Sequence, residues 1–402
     1  MKQIKFIILL ILLTQTLEAQ KTVVNEFSAI DKKSLELPVS MTTTTKDIST
    51  YITTNFKTDK ERIRAIFIWV AANIQYDIDN MFALNFYEKR EDKIAKALNT
   101  RKGICENYAA LFNDICLNSG IKSFVIEGYT KQNGFADYIP HAWCSALIEG
   151  SWFMFDPTWG SGYISNGKFY KKINNGYFKA NPAALIKSHM PFDMLWQFLN
   201  YPVSNQEFYE GKTIQNKSKS FFNYIDSLKI YESQKNIEQL IASATRIEKN
   251  GVKNSLIYDR LQHIKLAIEN IKIETENDRQ NKAVNLYNAA AADYNNAINE
   301  FNSFIQYRNK QFMPIKSDDE IQKMIDTVTT EFSEAKTKLS QITNPDANTI
   351  SLILQLNKSI EESLIHVKEQ QQWLTLYFSK GKAKRKSMFF EKKITWFGIP
   401  IN

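Results

Sequence analysis

Arg101-Lys102-Gly103-Ile104-Cys105-Glu106-Asn107-Tyr108-Ala109 is the stretch whose reading decides the fold. Gly103 lets the chain turn closely into a helix, and Cys105 falls in the first turn of that helix. Tyr108, Ala109, Phe112, Ile115 and Cys116 recur at helical steps as its buried face, and Gly120 is a C-terminal stop, so the spacing predicts a helix from about Cys105 to Asn118. A thiol attacks acyl groups only as thiolate, and at an ordinary pKa of ~8.5 most of it is protonated at neutral pH. The positive end of a helix and a neighbouring imidazole both favour the thiolate. Cys105 sits where the first of these acts, and the exposed N–H groups there are candidates for an oxyanion hole.

Upstream, Gln20–Thr58 is polar and Thr-rich and reads as an extended lead-in with one short helix near its end. From Asp59, the positions Ile63, Ile66, Phe67, Val70 and Ile74 mark one apolar face of a helix, and the charged Asn85–Arg101 reads as a surface loop or short helix. Downstream, Ser123–Tyr129 reads as a strand and Gln132–Tyr138 as a polar loop. Two apolar runs, His141–Ile148 and Trp152–Thr158, flank Glu149-Gly150-Ser151 and make a β-hairpin. With Glu149–Gly150 as a two-residue turn, Trp143 opposes Asp156 and His141 opposes Thr158. His141 and Asp156 then share one face as diagonal neighbours. A carboxylate so placed holds an imidazole in one tautomer and favours its charged form. The candidate catalytic residues are Cys105 as nucleophile, His141 as base and Asp156 as orienter.

The Cys105 stretch, Pro140-His141-Ala142-Trp143 and Phe155-Asp156-Pro157-Thr158-Trp159-Gly160 together resemble the Cys, His and Asp motifs of the transglutaminase-like superfamily. Their order and helix–sheet setting match as well. Ile68-Trp69-Val70 and Asn73-Ile74-Gln75-Tyr76-Asp77 look like the helix that precedes the nucleophile in its small bacterial members. The resemblance covers roughly Ile48 to Tyr209. It implies a papain-like α+β domain and a place beside transglutaminases, peptide N-glycanases and kyphoscoliosis-type peptidases. One departure is Cys144, where Asn often follows the His-Ala-Trp string; its side chain should face away from His141 on the strand.

Plainer readings stand beside these. Cys105 alone fits a buried apolar thiol, and His141 with Asp156 fits a structural hydrogen-bonded pair in a hairpin. Cys116 and Cys144 read as core, with a disulfide between them unsupported by spacing. His189 precedes Met190-Pro191-Phe192-Asp193 and has two readings, a residue lining the cleft or, the more common fate, a packing or capping residue; His263 and His366 read as surface residues on helical patterns. Trp69 and Trp143 read as packing around the site, and Trp69, Gln75 and Asn99 are guesses for a second oxyanion donor. Cys105, His141 and Asp156 are legitimate metal ligands, but no close ligand pair supports a metal, and no metal or organic cofactor is implied.

The 402 residues suffice for two ordinary domains, and 44% hydrophobic with 13% aromatic residues excludes disorder throughout. A net charge of +8, spread along the chain apart from Lys382, Lys384, Arg385 and Lys386, does not call for a nucleic-acid partner. Lys2 and Lys5, the apolar run Phe6–Leu13 and a polar turn to Ala19 have the layout of a secretory signal peptide cleaved near Ala19. That run is too short to span a bilayer, no other stretch approaches transmembrane length, and the expected location is secreted or periplasmic. Three cysteines in an exported chain leave at least one free thiol.

After about Lys212 the pattern is helix alone. Its seams run through Val284, Tyr287, Ala291, Tyr294, Ile298, Phe301 and Ile305, through Ile321 to Ile342, and through Ile353, Ile360, Leu364, Val367 and Leu374. The expected organisation is a signal peptide at 1–19, a transglutaminase-like domain with its lead-in at 20–212, and an all-α antiparallel helical bundle at 213–402. The expected function is an exported cysteine-dependent acyl-transfer enzyme acting on a protein or peptide through a thioester, as peptidase, amidase or protein cross-linker. The alternative is a non-catalytic scaffold whose helical half docks a protein or cell-envelope partner.

Overall fold

Threonine side chains cap two of the first three described α-helices. The computed structural model describes residues 26–131 and 139–390, so the expected signal peptide and the Gln132–Tyr138 loop lie outside the described residues. Helix α1 (Ser28–Leu35) is followed by α2 (Thr45–Asn55), where the Thr44 side chain accepts from the Asp47 N–H, and by α3 (Asp59–Asn73), where Thr58 and Glu61 form a capping box. Among the described residues the lead-in therefore holds two α-helices and not one: α2 is the short helix expected near its end, and α1 stands ahead of it with no side-chain cap to announce it. Ile48 and Ile52 then bury one face of α2 completely.

A two-residue strand β1 (Gln75–Tyr76) lies parallel to β2 (Lys102–Gly103), with helix α4 (Arg90–Thr100) between them. This clamp precedes helix α5 (Cys105–Asn118), whose bounds are those the sequence predicts. Strands β3 (Ser123–Thr130), β4 (Ile139–Ile148) and β5 (Ser151–Phe155) follow, and a small hairpin joins β6 (Gly162–Ser165) to β7 (Lys168–Lys171). With β8 (His189–Pro191) the main sheet is antiparallel, in the spatial order β5-β4-β3-β8. The β4–β5 register pairs Ile148 with Ser151 and Cys144 with Phe155, as the two-residue turn requires. Glu149 and Gly150 both take positive φ, 50° and 78°, the conformation of the hairpin turn whose twist matches the strands.

Alternation along β4 separates two cores. Ala142, Cys144, Ala146 and Ile148 pack with α3 and α5, whereas Trp143 joins Ile126, Met154, Leu195 and Phe198 in another cluster. Cys144 faces α5, its Sγ 3.2 Å from the Ala109 carbonyl oxygen. Buried Arg64 on α3 makes a bidentate pair with Asp31 of α1, at 2.6 and 2.7 Å, and also donates to Asn175.

Short helices α6 (Pro182–Leu185) and α7 (Asn205–Tyr209) lead to α8 (Tyr224–Ser233), α9 (Asn236–Asn250) and the long α10 (Ser255–Asn309). The chain divides into compact units at 1–268 and 269–402, so the expected boundary at 212 falls inside the first unit. Ala244, Ile247, Ile257, Leu261 and Ile264 share a core with Tyr129, Met190, Phe192 and Phe208, which ties these helices to the sheet. The second unit builds one core from the later part of α10 with α11 (Asp318–Ser340) and α12 (Ala347–Ser379). On α10 the buried line is Ala283, Ala290, Ala297 and Phe304, while Val284 is 43% exposed. The seam is thus turned by about one residue from its larger apolar side chains, since small alanines admit close helix approach. Arg385, in the basic cluster, makes a bidentate pair with Asp318 and lies over Tyr377, so it is a structural cation. Among the described residues no helix is long and apolar enough to cross a membrane.

Candidate active site

Cys105 opens α5, whose first backbone bonds run from the Asn107 and Tyr108 N–H groups back to the Ile104 carbonyl. The helix entry is fixed by Asn107, whose Oδ1 accepts from the Ile104 N–H at 2.9 Å and whose amide donates to the Lys93 carbonyl at 3.1 Å. The Asp77 N–H donates to the Gly103 carbonyl and the Tyr108 hydroxyl to the Ile74 carbonyl, so the segment bearing Tyr76 is bound to this helix start.

His141 and Asp156 meet across the hairpin. The carboxylate is completely buried and accepts on both oxygens. Its Oδ1 receives the backbone N–H groups of Thr158 (2.9 Å) and Trp159 (3.0 Å), and its Oδ2 lies 2.8 Å from His141 Nε2. The tight turn at Asp156-Pro157-Thr158 supplies the first pair of donors. With Nε2 committed to Asp156, Nδ1 is the ring nitrogen left for a second partner, and Cys105 lies close enough to act on the ring by charge and by hydrogen bond.

Burial works against a charge on His141, but the Asp156 carboxylate and then Cys105 outweigh it, and the pKa rises to about 10. Burial also opposes the Asp156 anion, yet His141 and a second imidazole hold its carboxyl well below the usual carboxylate range. That second imidazole is His189, whose Nε2 lies 3.1 Å from the same Oδ2 and whose Nδ1 lies 2.8 Å from Ser188 Oγ. Burial pushes the His189 pKa down, and the bond to Asp156 offsets only part of this. The sequence reads His189 chiefly as a packing or capping residue; its strand position on β8 and its bond to Asp156 emerge from the pairing of Thr130 with His189.

A cavity of about 600 Å³ borders the site, lined by Tyr76, Thr158, Trp159, Tyr163, Tyr177 and Ser188 among others. The Trp159 ring lies 5.5 Å from that of His141 and 4.6 Å from that of His189. Cys105 itself is 2% exposed and forms no part of the lining. Burial, with Cys105 and Asp156 nearby, pushes the Tyr76 phenol upward, so this hydroxyl in the cavity wall keeps its proton.

The remaining candidates separate cleanly. Cys116 and Cys144 are fully buried and, like Cys105, free, which leaves the two as core thiols. Asn99 is exposed on α4 and the Gln75 side chain is exposed. Trp69 is buried in the core around α3, and Trp143 packs against both imidazoles, with ring centres 6.0 and 5.2 Å away. Among the described residues, His141, Asp156 and His189 offer ligand-type atoms within 4.8 Å of one another. Each Nε2 must carry a hydrogen to bond an anionic oxygen, so a cation there would replace both hydrogen bonds. This is also not the Cys105, His141 and Asp156 set considered as a metal site from the sequence.

Residues 46–157 match the Transglutaminase-like superfamily. Kyphoscoliosis peptidase of Homo sapiens is 36% identical over 159 residues, 38% of this chain and 24% of that protein. Hillarin of Drosophila melanogaster is 25% identical over 203 residues, 46% of this chain and 24% of that protein. The chain thus matches 24% of the length of each of these curated relatives. Among solved structures, the periplasmic domain of TgpA from Pseudomonas aeruginosa aligns at 20% identity over 33% of this chain and 47% of that one, with a TM-score of 0.24. Residues 46–157 therefore mark a transglutaminase-like domain, similar in sequence to part of kyphoscoliosis peptidase, and a long helical region follows.

Proposed function

We propose that the protein is an exported cysteine-dependent acyl-transfer enzyme acting on a protein or peptide. In this reading the Cys105 proton already resides on His141, whose ring is kept charged by its surroundings, and Sγ attacks a carbonyl carbon as the thiolate. The tetrahedral intermediate collapses as His141 gives that proton to the leaving amine, and the acyl group remains on Cys105 as a thioester. Water, deprotonated by His141, or a second amine then releases the acyl group and restores the thiol. Asp156 keeps the imidazole in one tautomer and supports its cation. The observation that carries the proposal is the 2.8 Å bond between His141 Nε2 and a buried carboxylate, which leaves Nδ1 for the cysteine that opens α5. Hydrolysis is favoured over cross-linking because water is always present outside the cell.

A second reading has one specific observation behind it. The 2% exposure of Cys105, outside the cavity lining, suits a scaffold that has kept the fold and binds partners through its helices. Incubating the protein with casein and a fluorescent primary amine separates these readings. Fragments mean proteolysis and labelled casein means transamidation, each lost in Cys105→Ala. Absence of both, together with ordinary thiol reactivity at Cys105, favours the scaffold.

A further inference from the structure

His189 takes no part in the steps above, yet it is 1% exposed and bonds the same carboxylate oxygen as His141. An ionised carboxylate only accepts, so the hydrogen between each Nε2 and Oδ2 belongs to the ring. His189 is driven toward neutrality by burial, which leaves its Nδ1 bare to accept from the Ser188 hydroxyl. A single direction follows. Ser188 O–H donates to His189 Nδ1, and His189 Nε2–H donates to Asp156 Oδ2, which also receives His141 Nε2–H.

The sheet builds this convergence. Gly128 on β3 pairs with His141 on one side and Pro191 on the other, and Thr130 pairs with His189, so both imidazoles rise from strands flanking β3. A Cβ on Gly128 would stand 2.1 Å from the Met190 carbonyl oxygen and 2.7 Å from the Trp143 ring, so only glycine lets β8 and that ring come in. The ionisable groups facing His189 are Asp156 and His141, with the Tyr177 ring at 6.1 Å. Burial pushes the Tyr177 phenol up, so it stays neutral.

Resting on the acyl-transfer reading above, we propose that His189 is a positioning residue: as a neutral Nε2–H tautomer it braces Oδ2 of Asp156 and draws off part of that oxygen's charge. The brace keeps the carboxylate aimed at His141 and stops it from gripping the imidazolium proton too tightly to release it to the leaving group. A ring held only for packing between Trp143 and Trp159 would need no donor at this position.

The test compares His189→Phe, which keeps a ring and removes the donor, with His189→Gln, whose side-chain amide can donate again. His189→Phe is expected to lower turnover by at least about tenfold with KM nearly unchanged, the scale seen when an outer hydrogen-bond partner is lost. It also moves the high-pH limb of the profile upward, because an unbraced Asp156 holds the His141 proton harder. His189→Gln returns the limb and most of the turnover. Wild-type behaviour in His189→Phe overturns the proposal, as does equal impairment of both variants with an unmoved limb. Nitrogen-15 NMR of histidine-labelled wild-type protein decides the same point without any variant. His189 must show a protonated Nε2 and a bare Nδ1, and must stay neutral across about pH 5–8, where an ordinary imidazole changes charge. An Nδ1–H tautomer or a titrating His189 overturns the proposal. Turnover retained in Cys105→Ala would instead sink the acyl-transfer reading, and the NMR result stands apart from it.

Discussion

Asp156→Asn is the substitution from which the geometry predicts most. The carboxylate accepts from four donors at once: two backbone N–H groups on Oδ1 and two imidazole Nε2–H groups on Oδ2. An amide accepts on one side only, so either orientation of the substituted side chain sets an NH2 group against two donors. The rings can relieve this only by moving their hydrogen to Nδ1, which puts a donor where His141 should receive the thiol proton. The charge is lost as well. The rise of the His141 pKa to about 10 from its ordinary value near 6.5 amounts to roughly 5 kcal/mol of support for the imidazolium, with Asp156 the larger contributor and Cys105 the smaller. Without the carboxylate, burial acts with less opposition and His141 should titrate well below about 10. Turnover should fall by about 10⁴, as when a triad carboxylate elsewhere is replaced by its amide. The assay is a nitrogen-15 NMR titration of the histidines beside the casein assay, with thermal unfolding to confirm the fold. A His141 pKa still near 10, or turnover within tenfold of wild type, would refute the reasoning.

Three further outcomes follow from the same contacts. Folded His141 holds its proton up to about pH 10, whereas the unfolded chain releases it near 6.5. A raised pKa stabilises fully below the unfolded value and loses that effect as pH rises through the folded one, so the melting-temperature gap between wild type and His141→Gln should narrow from about pH 6.5 to 10; a constant gap contradicts this. Gly128→Ala should cost about 1–3 kcal/mol in denaturant unfolding and lower turnover, because its Cβ meets the Met190 carbonyl and the Trp143 ring. Wild-type turnover in that variant would show that the approach of β8 does not matter to the site. Arg64→Met removes a buried guanidinium together with its bidentate pair to half-buried Asp31 and its bond to Asn175, and should cost about 3–5 kcal/mol. A loss below about 1 kcal/mol would mean that solvent re-pairs the carboxylate.

The parts of the fold visible in the sequence are those set by local rules. The helix from Cys105 to Asn118 follows from a glycine entry and a 3.6-residue apolar face, and the β4–β5 register from a turn in which Glu149 and Gly150 take positive φ. That register is enough to bring His141 and Asp156 onto one oxygen–nitrogen contact. What escaped the sequence depends on partners far along the chain. His189 meets Asp156 only because a three-residue strand pairs with β3, and Gly128 matters only through the backbone that crosses it. The seam of α10 lies on alanines, whose small side chains give a weak periodic signal beside the tyrosines flanking them. Residues 213–268 read as part of a helical domain because helical periodicity does not say which core a face will join.

The central claim is that Cys105 is the nucleophile and His141 its base, and site-resolved alkylation tests it most directly. Iodoacetamide labelling at neutral pH, mapped by peptide mass, should modify Cys105 through the neighbouring cavity while Cys116 and Cys144, fully buried against α5 and the sheet, stay unmodified. His141→Ala should slow that labelling by about a hundredfold, the lower range of what a positioned base contributes. Labelling of Cys105 that is absent in the folded protein, or that proceeds equally fast without the imidazole, would contradict the account.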